Sequence, residues 1–338
     1  MNGLKKACLA LNVTKCASDK LASRWLVFFL PFFCKSGALL MKLVIAMLMD
    51  GVIYASWLFV IAAGLTLIYG VMRILNMAHG SFYAIGAYGG ASLVGFYLAG
   101  GYPPWGAYFM LLGAALIGGT IVGLLIERGL LRMMYGRDEV VMILVTYAIL
   151  LILEDVIKLI WGVDAYFAYQ PYTLLGRTKL AGLSFANYDI LLIFVSALIC
   201  FVLWWGLNRT RKGKLLQAVI HDRDTAAFLG INVTRMFTVT FVIGAVLGAL
   251  AGALTAPGIS VMPGIGVEVI ILAFAVVVIG GLGSVGGALL GALIVGLARS
   301  AAVHLYPDAE LFVIYGVMGL VLAFRPQGLF AIATARKI

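Results

Sequence analysis

Charge is what this sequence has least of. Only 11% of its 338 residues are Asp, Glu, Lys or Arg, while 64% are hydrophobic. A soluble domain carries about one-quarter charged residues, so a water-surrounded fold is excluded and lipid must be the solvent. Carboxylates are missing from the middles of the apolar runs, which disfavours a proton- or sodium-driven carrier, because such carriers bury them there. No Walker A glycine–lysine loop, no metal-ligand cluster and no nucleophile–base arrangement occurs, so the chain hydrolyses no nucleotide and has no catalytic residue. The cysteines are four (Cys8, Cys16, Cys34 and Cys200), and they form no ligand or disulfide spacing.

What is present are apolar runs at residues 43–69, 107–126, 140–161, 190–205, 236–256 and 311–324. Each approaches or exceeds the length of a helix through hydrocarbon. None shows the sustained two-residue alternation of a barrel strand, so the expectation is an all-α polytopic membrane protein with eight or nine core crossings.

The formal charge of +10 does not indicate nucleic-acid binding, because the basic residues lie in loops. Thirteen of them, including Arg73, Arg128, Arg132, Arg209, Arg211 and Arg235, fall on one side of the spans, against Arg177 and Lys179 on the other. The rich side is cytoplasmic by the positive-inside bias. Residues 1–41 read as an appendage of uncertain role: a signal-like segment, an extra crossing near 25–40, or sequence upstream of a start at Met41, the last two being favoured. Residues 42–330 form the membrane domain, and residues 331–338 form a cytoplasmic tail.

Two interruptions stand out. The stretch RILNMAHGS (residues 73–81) sits between long apolar runs and holds one of only three histidines. Asn76, His79 and Gly80 are expected to break the chain there, with the Asn and His side chains satisfying freed backbone groups. Ser81 and Gly86 then open a glycine-rich helix, and Asn76, His79, Gly80, Ser81 and Gly86 are candidate residues of the translocation path or its gate. A proton-relay role for His79 is set aside in favour of a hinge.

The second interruption, residues 280–287, contains Gly280, Gly281, Gly283, Ser284, Gly286 and Gly287. Each glycine disfavours helix by about 1 kcal/mol relative to alanine, and unwound backbone at membrane depth must be buried in protein or face water. These residues are the candidate path or gate, and leucine at Gly283 or Gly286 is expected to abolish transport. Both interruptions precede Gly/Ala-rich helices, a weak internal echo of the kind seen in duplicated transporters.

The polar segment 207–235 supplies a third feature. Asp222 and Asp224 precede a short helix whose apolar residues Ala226, Ala227 and Phe228 have no use on a solvated loop, and Gly230 is its stop.

The sequences GLTLIYGVMRILNMAHGSFYAIGAY (64–88), AAFLGINVTRMFTVTFVIGAVLGALAG (226–252), VVVIGGLGSVGGALLGALIVG (276–296) and YGVMGLVLAFRPQGLF (315–330) closely resemble permease subunits of bacterial branched-chain amino-acid ABC importers, of the H type. The likeness covers residues 43–330 and excludes the front extension. It implies a multi-pass inner-membrane subunit, usually paired with an M-type permease on two cytoplasmic ATPases that hold ATP and Mg, and served by a periplasmic binding protein. It also implies that residues 221–232 form the ATPase-coupling helix, with His221, Asp222, Asp224, Ala226, Ala227, Phe228 and Gly230. The substrate it implies is a branched or neutral amino acid, with urea or short amides as the alternative. A standalone channel or secondary carrier is the competing class.

Overall fold

The computed structural model describes residues 20–180 and 182–330, with side chains from Leu40 onward except at Leu180. The expectations for residues 1–41 and 331–338 lie outside those side chains. The described residues divide into two compact units, one holding the chain before residue 47 with residues 182–183, the other holding the rest. All features of the candidate site belong to the second.

The long helices are α1 (Lys20–Met72), α2 (His79–Ala99), α3 (Ala107–Ile126), α4 (Glu139–Trp161) and α5 (Asn187–Arg209). Two short helices follow, α6 (Arg211–His221) and α7 (Arg223–Phe228). The chain then returns through α8 (Val233–Thr255), α9 (Ile265–Gly280), α10 (Val285–Leu305) and α11 (Glu310–Phe324). Among the described residues, eight stretches are long and apolar enough to cross a membrane, and α9 is a shorter apolar helix. The protein is therefore an all-α, multi-pass membrane protein.

Glycine decides which helices meet. A Cβ at Gly86 would lie 1.9 Å from the Ala249 carbonyl oxygen of α8, and one at Gly252 would lie 1.9 Å from the Tyr83 carbonyl of α2. Helices at this separation touch backbone to backbone, the small-residue packing that replaces hydrophobic drive inside lipid. Gly119 of α3 meets the α8 backbone in the same way at Val246, and Gly123 meets the Ala245 side chain. The result is a tight α2–α3–α8 bundle with α9 against α2, where Gly80 faces Gly266.

On the arginine-poor side, Tyr166 and Val261 exchange two backbone hydrogen bonds of 2.9 Å, joining the loop after α4 to the loop after α8. Strands β1 (Arg177–Leu180) and β2 (Leu183–Ala186) pair nearby in sequence. Glu154 of α4 is 3.8 Å from Lys158, as its i, i+4 spacing predicts, but its carboxylate also accepts the Gly264 N–H that starts α9.

Candidate functional site

The first interruption is shorter and differently held than the sequence implies. Its non-helical residues are 73–78, so His79, Gly80, Ser81 and Gly86 are all helical. Arg73 turns the chain with a positive φ of 53°, a conformation that costs a non-glycine residue about 1 kcal/mol or more. The freed backbone is satisfied neither by Asn76 nor by His79. Thr146 of α4 does it: its Oγ1 accepts the Met77 N–H at 3.2 Å and lies 3.3 Å from the Leu75 carbonyl.

The Asn76 amide makes no hydrogen bond among the described residues, although it is fully buried. His79 Nε2 lies 3.0 Å from the Ile61 carbonyl in the middle of α1, and its ring sits edge-on to Phe82 at 5.9 Å. The side chains of Asn76, His79 and Ser81 are thus enclosed by helices of this chain and line neither of the two cavities described below. Gly80 and Gly86 are contact points for α9 and α8.

The second interruption also contracts, to residues 281–284. Gly281 and Gly283 take φ values of 103° and 86°, the left-handed region that only glycine enters freely. Ser284 caps α10 by accepting the Gly287 N–H at 3.1 Å. Gly280 and Gly287 are where α9 and α10 touch, since a Cβ on either would fall 2.2 Å from the other's carbonyl oxygen. Gly286 differs from the rest: nothing lies within 4 Å of its Cβ position. Crowding therefore argues against a side chain at Gly280 and Gly287, and φ argues against one at Gly283, but neither applies to Gly286.

The C-terminal segment closes this break. Leu329 and Phe330 donate N–H groups to the Ile279 and Gly280 carbonyls at 3.0 and 2.9 Å, satisfying the last turn of α9. The two interruptions also meet, with the Cβ position of Gly70, one turn before Arg73, 3.2 Å from the Gly283 carbonyl oxygen.

Above them, toward the arginine-poor side, lies a cavity of about 840 Å³ between α1, α2, α5, α8, α9, α10 and α11. Its wall is aromatic, with Tyr54, Trp57, Tyr83 and Tyr188. Tyr83 and Thr255 are joined by a 2.6 Å hydrogen bond between their hydroxyls, tying α2 to α8. The Tyr172 hydroxyl donates to Asp189 at 3.0 Å; burial, then the Asp189 charge, push it up to about 12, so it stays a neutral donor.

Arg299 is held at this cavity by partners from two other helices. Its guanidinium is paired with Glu310 at 2.6 Å and sits 3.9 Å from the centroid of the Tyr54 ring. Glu268 lines the same cavity without a hydrogen-bond partner among the described residues. The cavity thus offers an aromatic wall, one free carboxylate and one arginine. Nothing local in the sequence marks this set, which comes from five helices. The one available signal was that Arg299 and Glu268 interrupt otherwise apolar runs.

At the opposite, arginine-rich end, α7 is capped by Asp222. Its Oδ1 accepts the N–H groups of Asp224 and Thr225 at 3.0 and 3.1 Å. The Thr225 hydroxyl, followed by those backbone groups, holds this exposed carboxyl below the usual carboxylate range. His221 ends α6, and Gly230 turns with φ 82°. Ala226 is buried beneath α7, whereas Phe228 and the adjoining Leu229 are 91% and 76% exposed. Among the described residues no group of His, Cys, Asp or Glu gathers as a metal site.

Comparisons with known proteins agree with this architecture. The family described as "Branched-chain amino acid transport system / permease component" matches residues 47–322. The high-affinity branched-chain amino acid transport system permease protein BraD of Pseudomonas aeruginosa is 30% identical over 301 residues, covering 86% of this chain and 97% of BraD. LivH of Escherichia coli strain K12, a permease protein of the same kind of system, is 27% identical over 298 residues, covering 86% of this chain and 96% of LivH. The LivM permease protein of Salmonella typhimurium is more distant, at 25% over 291 residues, 80% of this chain and 67% of LivM. With eight apolar spans among its described residues, two broken segments and a family match over most of its length, the chain belongs to the branched-chain amino acid transport permease family, as a membrane-embedded permease subunit of an ABC transporter and not an enzyme.

Proposed function

We propose that this chain forms half of the translocation path of an importer for branched-chain and other neutral amino acids. In this reading it pairs with a related M-type permease in the bacterial inner membrane. A periplasmic binding protein delivers the substrate, and two cytoplasmic ATPases bind ATP and Mg; the chain itself binds no cofactor.

The observation that carries the reading is the cavity at the arginine-poor end. At about 840 Å³ it falls in the size range of small-molecule sites and has room for an amino acid with a branched side chain. Its charges are of both signs, matching a zwitterion: Glu268 suits the ammonium and Arg299 the carboxylate. Its walls offer Tyr54, Trp57 and Tyr83 to an aliphatic side chain. Arg299 already has Glu310 as a partner, so a substrate carboxylate must compete for it. Weak binding of that sort suits a conduit, since tight binding would trap the cargo.

Below the cavity lie the buried His79–Phe82 cluster and the meeting of the two interruptions at Gly70 and Gly283. These form the gate of the proposed path, with Asn76, Ser81 and Ser284 beside it. Opening requires α2 and α9 to shift together, since Gly80 and Gly266 lock them. The exposed Phe228 and Leu229 of α7 are the proposed seat for an ATPase, because ATP binding can drive that shift only through a contact that differs between the two states.

Uptake of labelled leucine in cells, with and without the genes for the partner ATPases, tests the reading. Loss of uptake without them is expected. Uptake that persists would assign the chain to a channel or secondary carrier.

A further inference from the structure

A second cavity, of about 470 Å³, lies far from the first, between the end of α3 and the start of α8. The two helices are pinned at Gly119 and Gly123, where Cβ atoms would fall 2.7 Å from Val246 Cα and 2.9 Å from Ala245 Cβ. Beyond that contact α3 widens into a π-helical turn, Glu127–Leu131, a distortion that is rare and is enriched at functional sites. The gap that opens is lined by three arginines, Arg128, Arg132 and Arg235. None of the three has a carboxylate within ion-pair distance among the described residues.

The neighbouring carboxylate pairs with none of the three, although its Oε2 has no hydrogen-bond partner among the described residues. Glu127 is fully buried, and its Oε1 accepts hydrogen bonds from Tyr135 at 2.6 Å and Thr238 at 2.9 Å. Those bonds tie the π-helical turn to α8. The other wall of the cavity is apolar and includes Val239 and Ile243, which are 48% and 43% exposed on the outside of α8. The position is the arginine-rich boundary of the membrane, directly after the apolar length of α3. A ligand that fits must place a multivalent anion among three arginines and hydrocarbon against α8.

We propose that this cavity binds the phosphate headgroup of an anionic phospholipid from the cytoplasmic leaflet, with an acyl chain lying along Val239 and Ile243. Guanidinium groups pair with phosphate through charge-assisted, bidentate hydrogen bonds, and basic pockets between membrane helices on this side are suited to such headgroups. Free phosphate would satisfy the arginines but leave the apolar wall unused. An acidic protein surface would meet the arginines but leave unused the exposed apolar residues Val239 and Ile243, onto which the cavity continues. The inference stands apart from what the chain carries.

Native mass spectrometry of the purified full chain, exchanged into mixed phosphatidylglycerol and phosphatidylcholine, tests it. The wild type should retain phosphatidylglycerol in preference. Removing charge should lower that retention about fivefold per arginine, or roughly a hundredfold for R128Q/R132Q/R235Q. The triple lysine variant should keep most of it, and R209Q, elsewhere on the same side, should change nothing. A thermal melt of each variant separates loss of the site from loss of the fold.

Equal retention of the two lipids by the wild type would overturn the proposal, as would undiminished retention by the folded glutamine variant. Displacement of the lipid by millimolar inorganic phosphate would reassign the cavity to a soluble anion. Retention that vanishes when a partner subunit binds would reassign it to a protein contact.

Discussion

Exchanging Gly280 and, separately, Gly286 for alanine separates packing from mere glycine content. At Gly280 the new methyl would sit 2.2 Å from the Gly287 carbonyl oxygen and 2.8 Å from the Ala288 nitrogen, both backbone atoms of α10. To restore ordinary contact, α9 and α10 must part by roughly 1 Å, an overpacking that costs about 1–3 kcal/mol. The shift also strains the bonds from Leu329 and Phe330 to the Ile279 and Gly280 carbonyls, worth about 1 kcal/mol each. Gly280→Ala should therefore destabilise by about 2–5 kcal/mol. At Gly286 nothing lies within 4 Å, and the residue is in the first turn of α10. Alanine there should be neutral or stabilising by up to about 1 kcal/mol, the difference in helix propensity. The assay is unfolding of the purified variants by titrated SDS, followed by circular dichroism, alongside leucine uptake. Gly286→Ala should unfold and transport like the wild type, and Gly280→Ala should do neither. Equal midpoints, or a weaker Gly286 variant, would refute the close α9–α10 contact.

Three further outcomes follow from the same geometry. Thr146→Val preserves shape but leaves the Met77 N–H without its acceptor; it should cost about 1–3 kcal/mol in the same SDS titration, whereas Asn76→Leu, which removes no observed bond, should cost less than Thr146→Val. Arg299→Gln should lower leucine uptake severalfold without changing the amount of protein in the membrane, as measured by transport against immunoblot; unaltered uptake would remove the arginine from the path. The depressed Asp222 carboxyl contributes order to α7 that is fully present above the ordinary carboxylate range and is lost as pH falls through its lowered value. Proteolysis within residues 222–230 should accordingly accelerate below about pH 4, and an Asp222→Ala variant should be cut rapidly at neutral pH as well.

The spans, the arginine bias and the existence of two interruptions were legible because they are local: each depends on apolar run length, loop charge or glycine density. The boundaries of the interruptions were not. His79 reads as a break residue, yet it begins α2 because Thr146, 67 residues later in the chain, supplies the hydrogen-bonding that a break at 73–78 needs. The five glycines in 280–287 look alike in sequence, but only the partner helix distinguishes Gly280 and Gly287, which touch, from Gly286, which faces open space. Arg299 interrupts an apolar run in the sequence, but its partners, Glu310 from α11 and Tyr54 from α1, come from elsewhere in the chain. The cap on α9 by Leu329 and Phe330 likewise depends on a segment some fifty residues away. What escaped the sequence was pairing across helices, which no periodicity records.

The central claim is that this chain lines a path through which partner ATPases drive aliphatic amino acids. Proteoliposomes holding the chain with its M-type partner and ATPases, ATP on the ATPase side and binding protein on the other, test it directly. The account predicts that labelled leucine accumulates above its external concentration only when ATP is present, and that excess urea does not compete. Leucine that merely equilibrates regardless of ATP, or uptake that urea abolishes, would contradict it.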